Sequence, residues 1–311
     1  MCTAICMNLG NFYFGRNMDI EESFGQRIVK CPREFEFNFV FGDTLSRHLA
    51  IMGMATVVDG YPLFADAFNE KGLCMAGLHF PATAYYFPEP QPNRLNLSPF
   101  ELISYILGRC ADLSEARKEL ERTTLVDRAF SRALPLTPLH WILADKTGAL
   151  AIEPTAEGLK IYDDTVGVLT NEPPFPFHVS ELCRYSNLTS SHAAHGALSD
   201  IPPVSFGLGA SGLPGDYSSP SRFVRAAYLC RVCGLRDDAD EQERVTHFFR
   251  ILYSVAPPHG AVLTAEGKAH YSLYSCCMNT ADLTYYASGY SSMSISAVTM
   301  SECDMKGDRL V

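Results

Sequence analysis

Apolar and polar positions alternate near the beginning of the chain in a pattern that predicts a β-hairpin. Residues 3–8 and 12–17 are rich in β-branched and aromatic side chains, and they flank the turn signal Asn8-Leu9-Gly10-Asn11. Later apolar runs of strand length fall into groups, which predicts several neighbouring antiparallel strands in each group. The further predicted strands are residues 27–31, 49–58, 73–80, 140–145, 149–153, 159–162, 167–170, 271–278, 284–287 and 294–298.

Helix-start signals separate these groups of strands. Ser98-Pro99-Phe100-Glu101 reads as a capping box with proline at the first helical position, and a second helix is expected to open at Asp112. Two more helices are expected to begin near Ser219 and Asp240. Groups of strands that alternate with pairs of helices favour an α+β fold, here a four-layer αββα sandwich of two antiparallel sheets flanked by helices.

The organisation of the chain is expected to be simple. We expect one domain over residues 1–311, with a loop at about 186–215 that is rich in Ser, Gly, Pro and His and has no periodicity. Loops of this length are typically functional or engaged with another subunit.

Composition narrows the classes of function. Of the 311 residues, 47% are hydrophobic and 19% charged, which is typical of a chain with a large core. The 25 Lys and Arg against 35 Asp and Glu give a net charge of −10, which speaks against nucleic acid and anionic membranes as partners. No run reads as a membrane span or secretion signal, and the 11 cysteines form no disulfide framework, so we expect a cytoplasmic protein with reduced thiols.

Two motifs could suggest a cofactor, and in both the structural interpretation is favoured. Residues 207–212 match GxGxxG, but Leu213-Pro214-Gly215-Asp216 intervenes before any helix, so a loop is a better interpretation than a dinucleotide site. Cys230 and Cys233 form CxxC, and Cys276-Cys277 is a conceivable second half of a metal or redox site. Because Cys230 falls on the apolar face of a predicted helix, we interpret the first pair as packing and expect neither metal nor organic cofactor.

The strongest chemical signal is Cys2. Removal of Met1 would leave a residue with a thiol and a free α-amine, and such an amine, with a pKa of roughly 7.7 to 8, can act as general base for its own thiol. Arg16 and Asp19 lie at the end of the second predicted strand, where a guanidinium favours thiolate and a carboxylate can hold the amine. Alternation places Arg16 and Asp19 on opposite faces, so their convergence requires a bend or bulge near Met18. The alternative for Cys2 is a small residue in an N-terminal strand, and the alternative for Arg16 and Asp19 is a surface ion pair.

Seven segments, in order along almost the whole chain, resemble the choloylglycine hydrolases, a family of N-terminal nucleophile hydrolases that comprises bile salt hydrolases and penicillin V acylases. The segments are Met1-Cys2-Thr3-Ala4, FGRNMD from Phe14, YPLFADAFNEKGL from Tyr61, AGLHFP from Ala76, LHW from Leu139, GVLTNEPPF from Gly167 and LPGDYSSPSRFVR from Leu213.

The resemblance implies a role for each matching residue. It makes Cys2 the nucleophile, Arg16 and Asp19 its charged partners, and Asn171 an oxyanion donor, with Arg222 supporting the charged cluster. The chain departs from the family at His79, where bile salt hydrolases usually have asparagine and penicillin V acylases tyrosine. If the family uses the backbone N–H there as an oxyanion donor, histidine is tolerated; if it uses the side chain, the oxyanion hole is altered.

The resemblance also implies an activity and an assembly. The expected reaction is hydrolysis of glycine- or taurine-conjugated bile acids through a Cys2 thioester, in a pocket lined by Met18, Phe24, Val58 and Ala65 and without metal or organic cofactor. The loop at about 186–215 resembles an assembly loop, which implies a homotetramer. The alternatives are a penicillin V acylase or other N-acyl amide amidase, a catalytically weak relative that binds bile acids, and a thiol-based redox or metal-binding protein.

Overall fold

The elements of secondary structure follow the order that the sequence predicts, with several additions. A computed structural model describes residues 1–191, 200, 205–302 and 304–311. Its strands are β1 (Cys2–Leu9), β2 (Asn11–Ile20), β3 (Arg27–Cys31), β4 (Ile51–Val58), β5 (Tyr61–Asn69), β6 (Cys74–His79), β7 (Leu95–Leu97), β8 (Thr123–Leu125), β9 (Leu139–Asp145), β10 (Gly148–Thr155), β11 (Gly158–Asp163), β12 (Val168–Leu169), β13 (Val262–Leu263), β14 (Ala269–Asn279), β15 (Thr284–Gly289) and β16 (Ser296–Thr299). Its α-helices are α1 (Leu102–Arg109), α2 (Leu113–Glu121), α3 (Phe175–Glu181), α4 (Ser219–Val232) and α5 (Glu241–Ser254).

The strands form two large antiparallel sheets. The first has the order β12-β1-β2-β14-β15-β16, with β13 paired to β14, and the second has the order β11-β10-β9-β6-β5-β4-β3. A separate parallel pair joins β7 to β8. The N-terminal hairpin is therefore central in the first sheet, where β14 pairs along the other side of β2.

Period-two alternation in the second sheet separates two hydrophobic cores. In β6 and β9, Met75 and Leu143 belong to the core that contains α1, whereas Ala76 and Ile142 belong to the core between the sheets. The same inter-sheet core continues through the first sheet to residues of α4 and α5, such as Phe248. The layers are helices, sheet, sheet, helices, and the predicted αββα sandwich is confirmed.

Helix capping agrees with the sequence signals. The capping box at Ser98 opens a short 3₁₀ turn that leads into α1, Asp112 caps α2, and Asp240 forms a second capping box with Glu243 at α5. The hydroxyl of Ser218 accepts from the backbone N–H of Ser221 and caps α4, which packs against β1.

Strand β5 and helix α3 are not predicted by the sequence pattern. β5 carries Pro62, Asp66 and Asn69, which are poor strand residues, and the two polar side chains are completely buried. Their burial is tolerated because distant groups supply their hydrogen bonds: Tyr274 and Tyr285 donate to Asp66. The helix α3 has only seven residues, too few for a clear helical period.

The glycine-rich motif at residues 207–212 lies in a turn and not at the start of an α-helix. Gly207 has a positive φ of 80° and precedes a 3₁₀ turn at Leu208–Ala210, and α4 begins only at Ser219.

Among the described residues, no group of three His, Cys, Asp or Glu side chains has the arrangement of a metal site. In the described part of the chain, no helix is long and apolar enough to cross a membrane.

Candidate active site

The register of the N-terminal hairpin positions Cys2 at the floor of a cavity. Cys2 pairs with Met18 across the hairpin, and it is only 3% exposed. Cys2 is also one of the residues that line a cavity of about 540 Å³. A thiol at this point can therefore meet a bound molecule while remaining shielded from bulk water.

Arg16 lies completely buried two residues before Met18. Its Nη1 donates to the carbonyl oxygens of Gly77 and Ala65, and its Nη2 contacts the Met18 sulfur at 3.4 Å. Burial lowers the pKa of this guanidinium, but the Cys2 thiol and other nearby acidic groups outweigh burial and raise it above its ordinary value. Arg16 is therefore a fixed positive charge behind Cys2.

Asp19 follows on the same strand, and the bulge expected near Met18 is present on the partner strand. The register of β14 against β2 shifts between Ser272, which faces Asp19, and Tyr274, which faces Met18. The Ser272 hydroxyl donates to Asp19 Oδ1, while Oδ2 has no partner among the described residues. Burial raises the pKa of Asp19, and Arg222, Ser272 and the N-terminal ammonium act in the opposite direction.

Asn171 and Arg222 reach Cys2 from separate parts of the chain. Asn171 Oδ1 accepts hydrogen bonds from the Cys2 backbone N–H and from Arg222 Nη2, each at 2.8 Å. Arg222 Nη1 also donates to the Cys2 carbonyl oxygen and to Thr3 Oγ1. Burial lowers the pKa of Arg222, with the charge of Asp19 opposing it. The sequence signals for these two residues came only from the family resemblance.

His79 ends β6 beside the same cavity. Its carbonyl oxygen accepts a hydrogen bond from Asn171 Nδ2 at 2.7 Å, and its side chain is among the residues that line the cavity. Burial, the N-terminal ammonium and His270 lower the pKa of the His79 imidazole. The side chain is therefore neutral at neutral pH. The structure brings all six predicted catalytic residues, Cys2, Arg16, Asp19, His79, Asn171 and Arg222, to one end of the cavity or directly behind it.

The cavity walls include three of the four predicted pocket residues. Met18, Phe24 and Ala65 line it, whereas Val58 does not. Thr56, two residues earlier on the same strand, is a lining residue, so the cavity ends before Val58 is reached. Most of the apolar wall of the cavity was not predicted from the sequence. It is made of Leu63, Phe64, Phe100, Ile103, Phe130, Leu134, Leu136, Leu139 and Trp141.

Two polar clusters at the site were not predicted from the sequence. Asp66 is completely buried and accepts from Tyr274 and Tyr285; burial raises its pKa, and Arg16 opposes this. The signal was available as a lone aspartate in an otherwise apolar run. The other cluster pairs Glu21 with His270, two charged or titratable groups that are far apart in the sequence.

Comparison with known proteins agrees with this geometry. The family model of linear amide C–N hydrolases, choloylglycine hydrolase family, matches residues 2–311. The chain belongs to this family. It is an amidohydrolase by membership, and the predicted resemblance is confirmed.

Individual relatives cover nearly the whole chain. The chain is 41% identical to a bile salt hydrolase/transferase of Lactiplantibacillus plantarum, over 96% of this chain and 92% of that protein. A crystal structure of a conjugated bile acid hydrolase variant from Clostridium perfringens has a TM-score of 0.92 at 34% identity, covering 100% of this chain and 96% of the other. Penicillin V acylase from Agrobacterium tumefaciens shares the fold, with a TM-score of 0.76 at 19% identity over 99% and 90% of the two chains.

Proposed function

We propose that this amidohydrolase cleaves the amide bond of glycine- or taurine-conjugated bile acids through a thioester on Cys2. The observation that carries the proposal is the convergence of Arg16, Asn171 and Arg222 around Cys2, at the end of a cavity of about 540 Å³ with mostly apolar walls. A sterol acyl group suits such a cavity because binding would remove its large apolar surface from water.

The N-terminus supports the role of Cys2 once Met1 is removed. Met1 lines the cavity next to Cys2, and its nitrogen donates to the Asp19 carbonyl oxygen at 2.7 Å. Removal of Met1 turns the Cys2 nitrogen into an α-amine that already lies 2.8 Å from Asn171 Oδ1. The unpartnered Oδ2 of Asp19 is then available to an ammonium at this end of the cavity.

The chemistry follows from these groups. The Cys2 α-amine takes the thiol proton, the sulfur attacks the amide carbon, and the C–N bond breaks as the α-ammonium returns that proton to the leaving nitrogen. Water then attacks the thioester and releases the free acid and the thiol. Asn171 Nδ2 carries two hydrogens and uses one on the His79 carbonyl oxygen, so the second can serve the oxyanion together with the His79 N–H.

The buried arginines contribute electrostatically. Arg16 stands behind Cys2 without a carboxylate within ion-pair distance among the described residues, so its charge stabilises negative charge on the sulfur. Arg222 bonds the Cys2 carbonyl oxygen and Asn171 Oδ1, which holds the nucleophile and the oxyanion donor in one geometry.

The choice of substrate rests on the relatives and on the cavity. The names of the L. plantarum and C. perfringens relatives refer to bile salts and conjugated bile acids, at 41% and 34% identity. The likeness to penicillin V acylase, at 19% identity, concerns the fold alone. Penicillin V is the second candidate substrate. Its phenoxyacetyl group is apolar, which suits the cavity walls, but it would fill less of the cavity than a sterol.

A substrate panel tests the proposal. Initial rates are compared for glycine and taurine conjugates of several bile acids and for penicillin V, with free amino acid or 6-aminopenicillanic acid as the measured product. We expect a higher kcat/KM for the bile acid conjugates. A preference for penicillin V would assign the chain to the acylases, and turnover of neither would indicate a binding protein.

We further propose that the chain acts as a single-domain homotetramer in the cytoplasm. Residues 186–191 and 205–215 of the expected assembly loop are described, and residues 192–199 and 201–204 lie outside the described part of the chain. Light scattering coupled to size-exclusion chromatography should give four chains per particle. Fractionation of the producing cell should recover the activity with cytoplasmic markers.

A further inference from the structure

Glu21 and His270 form a hydrogen-bonded pair at the cavity, next to the N-terminus. The imidazole Nε2 lies 2.9 Å from Glu21 Oε1, and both residues line the cavity together with Cys2. His270 is the less exposed partner, at 17% of its side chain against 36% for Glu21. Burial raises the pKa of Glu21, but the hydrogen bond from His270, a backbone hydrogen bond and nearby positive charge together lower it, so Glu21 keeps its charge at neutral pH.

The other imidazole nitrogen faces an amine. His270 Nδ1 lies 3.3 Å from the Met1 nitrogen, which at the same time donates to the Asp19 carbonyl oxygen at 2.7 Å. With an ammonium on one side and a carboxylate on the other, the consistent tautomer has the proton on Nε2 and the lone pair on Nδ1. Two hydrogen-bond acceptors therefore hold one nitrogen beside Cys2.

Removal of Met1 empties this position but leaves both acceptors in place. We propose that Glu21, His270 and the Asp19 carbonyl oxygen form the amine subsite, which binds the nitrogen of the leaving amino compound. The inference rests on the proposed function, because it assigns a place to the nitrogen that the thioester reaction releases. In this view the Met1 amine shows how an amine nitrogen is bound there.

The charges around the subsite suit a nitrogen that becomes positive. Glu21 supplies a carboxylate just after the end of β2, and the Asp19 carboxyl is completely buried. His79, which lines the same cavity, is kept neutral because burial, the N-terminal ammonium and His270 lower its pKa. His270 makes its contact through the lone pair on Nδ1.

The same subsite would serve the reaction in both directions. As the C–N bond of the substrate breaks, the nitrogen receives the proton of the Cys2 α-ammonium, and its N–H bonds point to Nδ1 and the Asp19 oxygen. In the reverse step an amine enters the same position, attacks the thioester carbon, and the sulfur leaves with a proton returned through the α-amine. By microscopic reversibility, a change at His270 alters amide cleavage and amide formation by the same factor.

An amide and an ester of the same acid separate this role from a structural one. A 4-nitrophenyl ester of cholic acid forms the same Cys2 thioester but loses a phenolate, which needs no N–H acceptor. For His270→Leu in the mature enzyme we expect kcat/KM for glycocholate to fall about ten-fold or more, the loss typical of a hydrogen bond to a charged group. The kcat/KM for the ester should stay within about two- to three-fold of the parent.

Further variants test whether the acceptor atom matters. His270→Asn keeps an acceptor near the position of Nδ1 and should recover much of the amide activity, and Glu21→Leu, a change at a partly exposed position, should lower the amide-to-ester ratio in the same direction. His247→Leu, on α5 and not among the cavity-lining residues, is the control and should keep the ratio.

The outcomes distinguish this inference from the proposed function. A selective loss on the amide in His270→Leu and Glu21→Leu, with recovery in His270→Asn, supports the amine subsite. Equal losses on both substrates, or no loss on either, overturn it while leaving the hydrolase function intact. A parent enzyme that cleaves neither substrate overturns the proposed function and this inference with it.

Discussion

Asn171 Oδ1 accepts the hydrogen bond of the Cys2 backbone nitrogen at 2.8 Å, although 169 positions separate the two residues. The same oxygen accepts from Arg222, while the amide nitrogen of Asn171 donates to the His79 carbonyl oxygen. One side chain thus joins the N-terminal hairpin, β6 and α4. Its two ends are suited to two tasks, since the oxygen can hold the Cys2 nitrogen and the nitrogen can donate to an oxyanion.

Replacement of Asn171 should therefore act on turnover. Asn171→Ala removes an oxyanion donor, and such a loss costs on the order of 100-fold or more in rate. We expect kcat to fall by that factor with little change in KM, measured on the best conjugate of the panel. Asn38→Ala, at an exposed position outside the cavity and the assembly loop, is the control and should leave both parameters unchanged. A change confined to KM would contradict the oxyanion role.

Cys2 should carry the chemistry only after Met1 is lost. Retained methionine makes the Cys2 nitrogen an amide, which cannot act as a base. We expect the intact mass of the active enzyme to lack Met1, and Cys2→Ala to abolish turnover with an unchanged circular dichroism spectrum. Cys233→Ser, at the end of α4, should retain full activity. Substantial turnover by Cys2→Ala would refute the thioester mechanism.

His79→Asn should preserve or increase activity on bile salts. The contact of His79 with Asn171 is made by the backbone carbonyl, which the substitution leaves in place, and asparagine is also smaller in the cavity. The measurement is kcat/KM for glycine and taurine conjugates in both enzymes. A large fall in kcat would mean that the imidazole itself takes part in the reaction.

Asp164 should give stability a specific pH dependence. Its Oδ1 accepts from the backbone N–H groups of Val166 and Gly167, yet burial raises its pKa from 3.8 to about 6. Between these values the folded chain keeps a proton that the unfolded chain has lost, so the carboxyl favours folding at the acid end. The free energy of unfolding of the parent, relative to Asp164→Asn, should therefore fall by about 2 kcal/mol as pH rises from 4 to 7.

Urea denaturation at several pH values checks this difference. Asp216→Asn is the opposite control, because hydrogen bonds from Ser218 and Ser221 lower the pKa of Asp216 to about 2. Its difference from the parent should change only below about pH 4. A parent and an Asp164→Asn variant that run parallel from pH 4 to 7 would contradict the raised pKa.

Local sequence signals were enough to predict most of the secondary-structure elements and the order of the layers. Strand alternation, the capping residues at Ser98, Asp112 and Asp240, and the turn at Gly10 act over a few residues, so they can be recognised without knowledge of the fold. The hairpin also placed Arg16 and Asp19 near Cys2, because pairing across a short turn is set by the turn itself.

The distant groups that complete the site are brought together by tertiary packing, which local sequence does not reveal. Asn171 and Arg222 meet Cys2 because β12 pairs with β1 and α4 packs on the same strand, and the residues themselves carry no local signal of that contact. The pairing of Glu21 with His270 depends likewise on β14 lying beside β2. Two predictions failed for the same reason: Val58 does not line the cavity, and the buried strand β5 was not predicted. The depth of a pocket and the burial of Asp66 are set by packing between layers, which propensity and periodicity do not encode.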